Sequence, residues 1–355
     1  MLPAWTIATP IAAWILFAGI GFGFGVFYLI LLAAGLFGGV LAGVHHAEVV
    51  AHKVGEPFGT LLLAIAVTVI EVALIVSLML AGGEQATALA RDTVFAAVMI
   101  IITAIVGLCL LIGGAKHREQ TFGLHGVSAA LTTLVAISVM TLILPNFTVT
   151  VAGPAYSKGQ LIFIAIVSLV LYGVFVLVQT VRHRDYFLPD EAHGNEEAHA
   201  PPPTTKIAVI SATLLIACLG AVVVLGKALA PSIEAGVEAL GAPNALVGII
   251  IAGIVLLPEG LAAVRAAKAD RLQTSLNLAL GSALASIGLT IPAVAIVSLL
   301  TGMTLTLGID MKSTVLFILS LFVSVLSLGN GRTTILQGTV LLVIFAVYIL
   351  LTIIP

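Results

Sequence analysis

LLLAIAVTVIEVALIVSLML, residues 61–80, holds a single ionisable side chain, Glu71, inside an otherwise apolar run. About 20 apolar residues in an α-helix cross the hydrocarbon core of a bilayer, and a charged side chain at that depth costs about 3 kcal/mol or more. The stretch therefore reads as a transmembrane helix whose glutamate faces a bundle interior or an aqueous cavity.

The rest of the chain supports that reading. Of its 355 residues 61% are hydrophobic and only 8% charged, with a mean hydropathy of +1.25. A soluble domain needs roughly 25% charged residues to wet its surface, so the outside of this molecule must meet lipid. Apolar runs fall near 5–21, 24–44, 60–81, 91–112, 123–144, 160–180, 206–228, 244–264, 272–299, 313–329 and 335–354. That predicts an all-α integral membrane protein of about eleven helices; barrel strands would be shorter and alternating. The net charge of −2 gives no sign of nucleic-acid binding. Cys109 and Cys218 lie inside apolar runs and read as small core residues. The first 30 residues lack the basic region and cleavage site of a removable signal peptide.

Lysine and arginine set the expected orientation. Ten of the fourteen, Lys53, Lys116, Arg118, Arg182, Arg184, Lys206, Arg265, Lys268, Arg271 and Arg332, fall in loops on the side of the N-terminus. This predicts a cytoplasmic N-terminus and an external C-terminus. The one long polar stretch, 182–206, contains DYFLPDEAHGNEEAHAPPP (185–203) and reads as a solvated acidic linker with a lesser reading as a cation-responsive regulator. It divides the chain into a first helix (1–23), five helices (24–181) and five more (207–355).

Glu259, within LVGIIIAGIVLLPEGLAAV (246–264), is the second acid buried in an apolar span. Each five-helix half places its glutamate in its second span and follows it with a helix opening on arginine: RDTVFAAVMIIITAIVG (91–107) and RLQTSLNLALGSALASIG (271–288). Five spans per half make corresponding helices antiparallel. Inverted repeats of this kind mark secondary transporters, whose sites lie near the midplane. Pro258 is expected to interrupt its helix and free backbone carbonyls.

Charge suggests the chemistry. Two carboxylates in a low-dielectric site repel and resist desolvation, so they hold protons well. A divalent cation can replace two protons with little change in net charge. Hard cations want several oxygens; Glu71 and Glu259 would be the metal-binding carboxylates, with Thr68, Thr103, Ser282 and Ser286 as hydroxyl ligands. A second polar concentration is HHAEVVAHKVGEPFG (45–59), where His45, Glu48, His52 and Glu56 share a helical face roughly 80° wide. It reads either as a cation-gathering or pH-sensing vestibule or as the polar side of an interfacial helix. Its spacing is not that of a zinc hydrolase.

The stretch GTLLLAIAVTVIEVALI (59–75) resembles the first signature of the calcium:proton exchanger branch of the calcium/cation antiporter superfamily, with Glu71 on that signature's glutamate. NLALGSALASIGLTIP (277–292), including Asn277, Gly281, Ser282 and Pro292, resembles the helix of the second signature. GGAKHREQTF (113–122), YGVFVLVQT (172–180) and NGRTTILQG (330–338) extend the likeness, which most resembles the bacterial calcium(sodium, potassium):proton antiporters. The resemblance implies inverted five-helix repeats, an acidic segment between helices 6 and 7, and essential glutamates in helices 3 and 8. It also implies calcium exchanged for protons across a bacterial inner membrane, with no cofactor. Where the family has Gly-Asn before its glutamates, this chain has Val67 and Thr68, and Val255 and Leu256; Ala285 stands for a family glutamine. These departures open sodium or potassium exchange as the alternative. A channel would need a filter loop or a ring of charge, and a membrane-embedded enzyme a nucleophile or metal constellation; neither pattern is found. Nothing in the sequence marks an oligomeric state.

Overall fold

The computed structural model describes residues 2–20, 25–55, 58–82, 87–188, 203–239, 241, 243 and 245–354. Among them run eleven apolar helices: α1 (Ala4–Ala18), α2 (Gly25–Val54), α3 (Phe58–Gly82), α4 (Leu89–His117), α5 (Leu124–Phe147), α6 (Lys158–Arg182), α7 (Thr205–Ala239), α8 (Ala245–Lys268), α9 (Leu272–Thr301), α10 (Met311–Ser327) and α11 (Ile335–Ile353). Every hydropathy run has its helix. Eight of the helices are long and apolar enough to span a bilayer by length and composition. Large apolar side chains on their flanks, among them Phe163, Ile216 and Leu336, are exposed, as a lipid-facing surface requires.

Three expectations need revision. α2 does not stop near residue 44 but continues as one helix to Val54, because Glu48, His52 and Lys53 face outward while Val44, His46, Ala47 and Ala51 stay buried. α7 continues to Ala239 and keeps Pro231 inside it. α8 likewise runs through Pro258 without a break. A proline removes one N–H from the ladder, and membrane helices tolerate that loss when neighbouring groups serve the freed carbonyl.

The chain forms two compact units, Met1–Ala86 with His199–Val247 and Thr87–Ala198 with Gly248–Pro355. Each draws helices from both sides of the linker. In the first unit, α1 lies on α2 and α7, where glycines admit large side chains: Gly35 faces Leu16, and Gly220 faces the Trp14 ring. The Trp14 indole N–H donates to Ala217 O at 3.0 Å, satisfying the one polar atom of that side chain. α3 packs against the same pair, Ile70 reaching Gly43 and Leu74 reaching Gly226.

In the second unit α4 is the central helix: 83% of its most apolar stretch is buried, against 28% for α11. α11 crosses α4 at glycines. A Cβ at Gly338 would fall 2.7 Å from Gly107 O, and one at Gly114 2.6 Å from Ile335 N, so the two backbones touch. Capping residues set the helix starts. Ser157 and Gln160 form a reciprocal box at α6, Thr334 and Gln337 another at α11, and Asp310 accepts from Ser313 N at α10.

Long-range side-chain bonds close both ends of this unit. At one end a short antiparallel ribbon, β1 (Glu119–Thr121) with β2 (Arg332–Thr334), joins the loop after α4 to the loop before α11. There the Gln120 amide donates to Ala267 O and Asp270, and Lys116 donates to Lys268 O. A relay follows: Gly123 N–H donates to the Gln273 amide oxygen, Gln273 to Asn277, and Asn277 to Phe187 O. These bonds join the loops near residues 116–123, 267–273 and 332–334 at one end of the unit. At the opposite end Arg91 donates to Gly308 O and Asn146 to Ile309 O.

Candidate functional site

Glu71 sits mid-way along α3 and is 3% exposed; Thr68, one turn earlier on the same face, is also 3% exposed. Nothing in the sequence of α3 hides this acid except its apolar surroundings, so its burial comes from packing. Oε1 of Glu71 and both carboxylate oxygens of Glu259 are shielded from solvent.

The candidate residues divide between the two compact units. Glu71 and Thr68 belong to the first; Glu259, Thr103, Ser282 and Ser286 belong to the second. Within the second unit Thr103 and Glu259 lie on helices that touch, since Gly260 beside the glutamate meets Ile105 of α4. α9, which carries Ser282 and Ser286, packs along the same part of α4. Ser286 is 2% and Thr103 0% exposed, while Ser282 is half-buried. The Thr103 hydroxyl donates to Met99 O at 2.5 Å, which leaves its lone pairs to accept or coordinate.

The polar face of α2 has a different character. Glu48 and His52 are exposed and His45 is half-buried, its ring 5.8 Å from that of Trp5. Glu56 lies outside the described residues. His46, which the face pattern omits, is the buried histidine: it is 0% exposed, and its Nε2 lies 3.0 Å from Thr6 O of α1. The carbonyl can only accept, so Nε2 carries the proton and the ring joins α1 to α2. Its position one residue from His45 puts it on another side of the helix, and only the packing of α1 reveals it.

No group of three or more His, Cys, Asp or Glu suited to hold a metal occurs among the described residues. What the geometry offers is solvent-shielded carboxylate oxygens, on helices that also carry hydroxyls, in a chain of apolar helices long enough to span a membrane, the equipment of an ion transporter. The chain belongs to the sodium/calcium exchanger protein family, whose pattern it matches over residues 24–181 and 210–354. It is 52% identical to y4hA of Sinorhizobium fredii, which carries the name of an ionic transporter, over 92% of this chain and 89% of that one. It is 35% identical to the sodium-potassium/proton antiporter ChaA of Escherichia coli, over 90% of this chain and 87% of that one. Its fold matches the crystal structure of the H+/Ca2+ exchanger CAX with a TM-score of 0.73 at 14% identity, over 97% of this chain and 87% of that one. It is a transporter, not an enzyme.

Proposed function

We propose that this protein is a secondary active antiporter that exchanges calcium for protons by alternating access, with cation and protons competing for Glu71 and Glu259. The observation that carries this reading is the shielding from solvent of carboxylate oxygens of one glutamate in each of two apolar spans, α3 and α8; in this reading the two helices are counterparts in the two five-helix halves. A carboxylate so placed is costly when bare. Protonated or cation-bound it is not, and the two states exclude each other at the same oxygens. Thr68, Thr103, Ser282 and Ser286 supply neutral oxygens that complete a hard cation's shell. In this reading residues 24–181 and 207–355 are inverted repeats, the N-terminus is cytoplasmic, the C-terminus is external, and the chain resides in a bacterial inner membrane. His45, Glu48, His52 and Glu56 form the polar approach on the cytoplasmic side, and the acidic 182–206 linker joins the repeats.

Sodium or potassium exchange is the second reading. It is favoured by the name of the Escherichia coli relative and by Val67–Thr68 and Val255–Leu256, which offer fewer amide oxygens than Gly-Asn pairs. Fluxes of calcium, sodium and potassium into proteoliposomes, compared across pH, decide between them. Saturable calcium uptake that protons inhibit competitively is expected; sodium or potassium flux with calcium inert would overturn the calcium assignment. Ser282→Ala is expected to raise the half-saturating cation concentration roughly threefold to tenfold, the value of one hydrogen-bond-strength ligand. An unchanged value removes Ser282 from the site.

A further inference from the structure

α4 is not a regular helix. Between Ile100 and Ile105 it widens into a π turn, and Val106 N–H reaches back five residues to Ile101 O. All six residues of the turn are buried. Wide turns of this kind are rare and recur at functional sites, since they carry an extra residue that a regular helix would not keep without a use. That extra residue rotates every later side chain by about 100° relative to an unbroken helix. Ile105, the last residue of the turn, meets α8 at Gly260, the residue next to Glu259. A Cβ built on Gly260 would lie 3.2 Å from Ile105 Cδ1 and 3.3 Å from Cγ1. Glycine at 260 thus lets the isoleucine close directly on the backbone that carries the glutamate. Within the turn the Thr103 hydroxyl donates to Met99 O, one turn back.

We propose that the π turn of α4 is a positioning element for Glu259, with Ile105 fixing the α8 backbone at Gly260 and so the direction of the neighbouring carboxylate. The inference rests on Glu259 carrying cation and protons as set out above. Ile105 touches neither; it is a positioning residue. A methyl group at 260 would lie 3.2 Å and 3.3 Å from Ile105 Cδ1 and Cγ1, so α8 or the isoleucine must give by a few tenths of an ångström, and a small displacement of a ligand's backbone changes its effectiveness.

The test uses the full-length protein in proteoliposomes, with calcium and sodium uptake each measured over a range of concentrations and the rate expressed per folded protein. Gly260→Ala is expected to raise the half-saturating cation concentration on the order of threefold to tenfold while the maximal rate stays within about twofold. Adding Ile105→Val, which removes Cδ1, should bring half-saturation back toward the parent value. Ile105→Ala alone opens the contact instead of crowding it, and should also raise half-saturation; it carries the test if Gly260→Ala does not fold. A role confined to packing would lower the yield of folded protein and leave half-saturation unmoved, and that result overturns the proposal. So does a double variant no better than Gly260→Ala. Glu259→Gln run alongside separates the two layers: normal transport by it refutes the site, whereas a dead Glu259→Gln beside unaffected Gly260→Ala and Ile105→Ala refutes the positioning role alone.

Discussion

Glu71→Gln and Glu259→Gln should each yield a folded membrane protein that no longer exchanges cations. Glutamine keeps the shape and one carbonyl oxygen of each side chain, so packing in α3 and α8 survives. Folding should even improve slightly, because a neutral amide costs less than a carboxylate in an apolar helix. What is lost is the group that can be either protonated or cation-bound. Removing one charged partner from a buried site costs about 3–5 kcal/mol, which is a fall of a few hundredfold or more in cation binding at fixed concentration. The two losses should be of similar size if the proposed repeats make the two glutamates counterparts. Uptake assays with each purified variant, normalised to the monodisperse fraction, measure this. Near-normal uptake by either one would contradict a mechanism that uses both.

Gly338→Ala should cost the fold more than any change at the site does. At this crossing of α11 over α4, a methyl group would lie 2.7 Å from Gly107 O and 2.9 Å from Leu110 C, and also against Leu111 N. Those atoms are backbone inside the most buried helix of its unit, so the helices must separate along their length. Overpacking typically costs about 1–3 kcal/mol, and more where backbone has to move; here about 3 kcal/mol or more is expected. Gly173→Ala is the control, because that position opens onto unoccupied space. Thermal unfolding followed by fluorescence-detected size exclusion should show a large fall in midpoint for Gly338→Ala and none for Gly173→Ala. A midpoint for Gly338→Ala within about 2 °C of the parent, the scale of a marginal change in stability, would mean that α4 and α11 do not meet as described.

Most of the architecture was legible from hydropathy, because a bilayer demands long apolar runs and punishes charge within them. Glu71 and Glu259 stood out for the same reason. The missing features depend on contacts far apart in sequence. The apolar run ends near residue 44 because histidine, glutamate and lysine follow it; the buried Val44, Ala47 and Ala51 show that the same helix goes on to Val54. Pro258 looks like a break, yet α8 carries it through. The Gln120, Gln273 and Asn277 bonds reach partners 147, 150 and 90 residues away, which no local pattern reports. His46 has no distinguishing spacing and is identified only by Thr6 of α1. The π turn of α4 lies in IIITAI, a segment indistinguishable in composition from any apolar helix. Local rules read the medium each helix sits in; they do not read which helix touches which.

The central claim is coupling between cation and proton. Proteoliposomes holding the full-length protein, loaded with equal calcium inside and out and then given a pH gradient, measure it directly. Antiport predicts that calcium accumulates against its own gradient on the acidic side, and that the accumulation collapses when a protonophore dissipates the gradient. Calcium, sodium and potassium that all merely equilibrate, whatever the pH gradient, would contradict it.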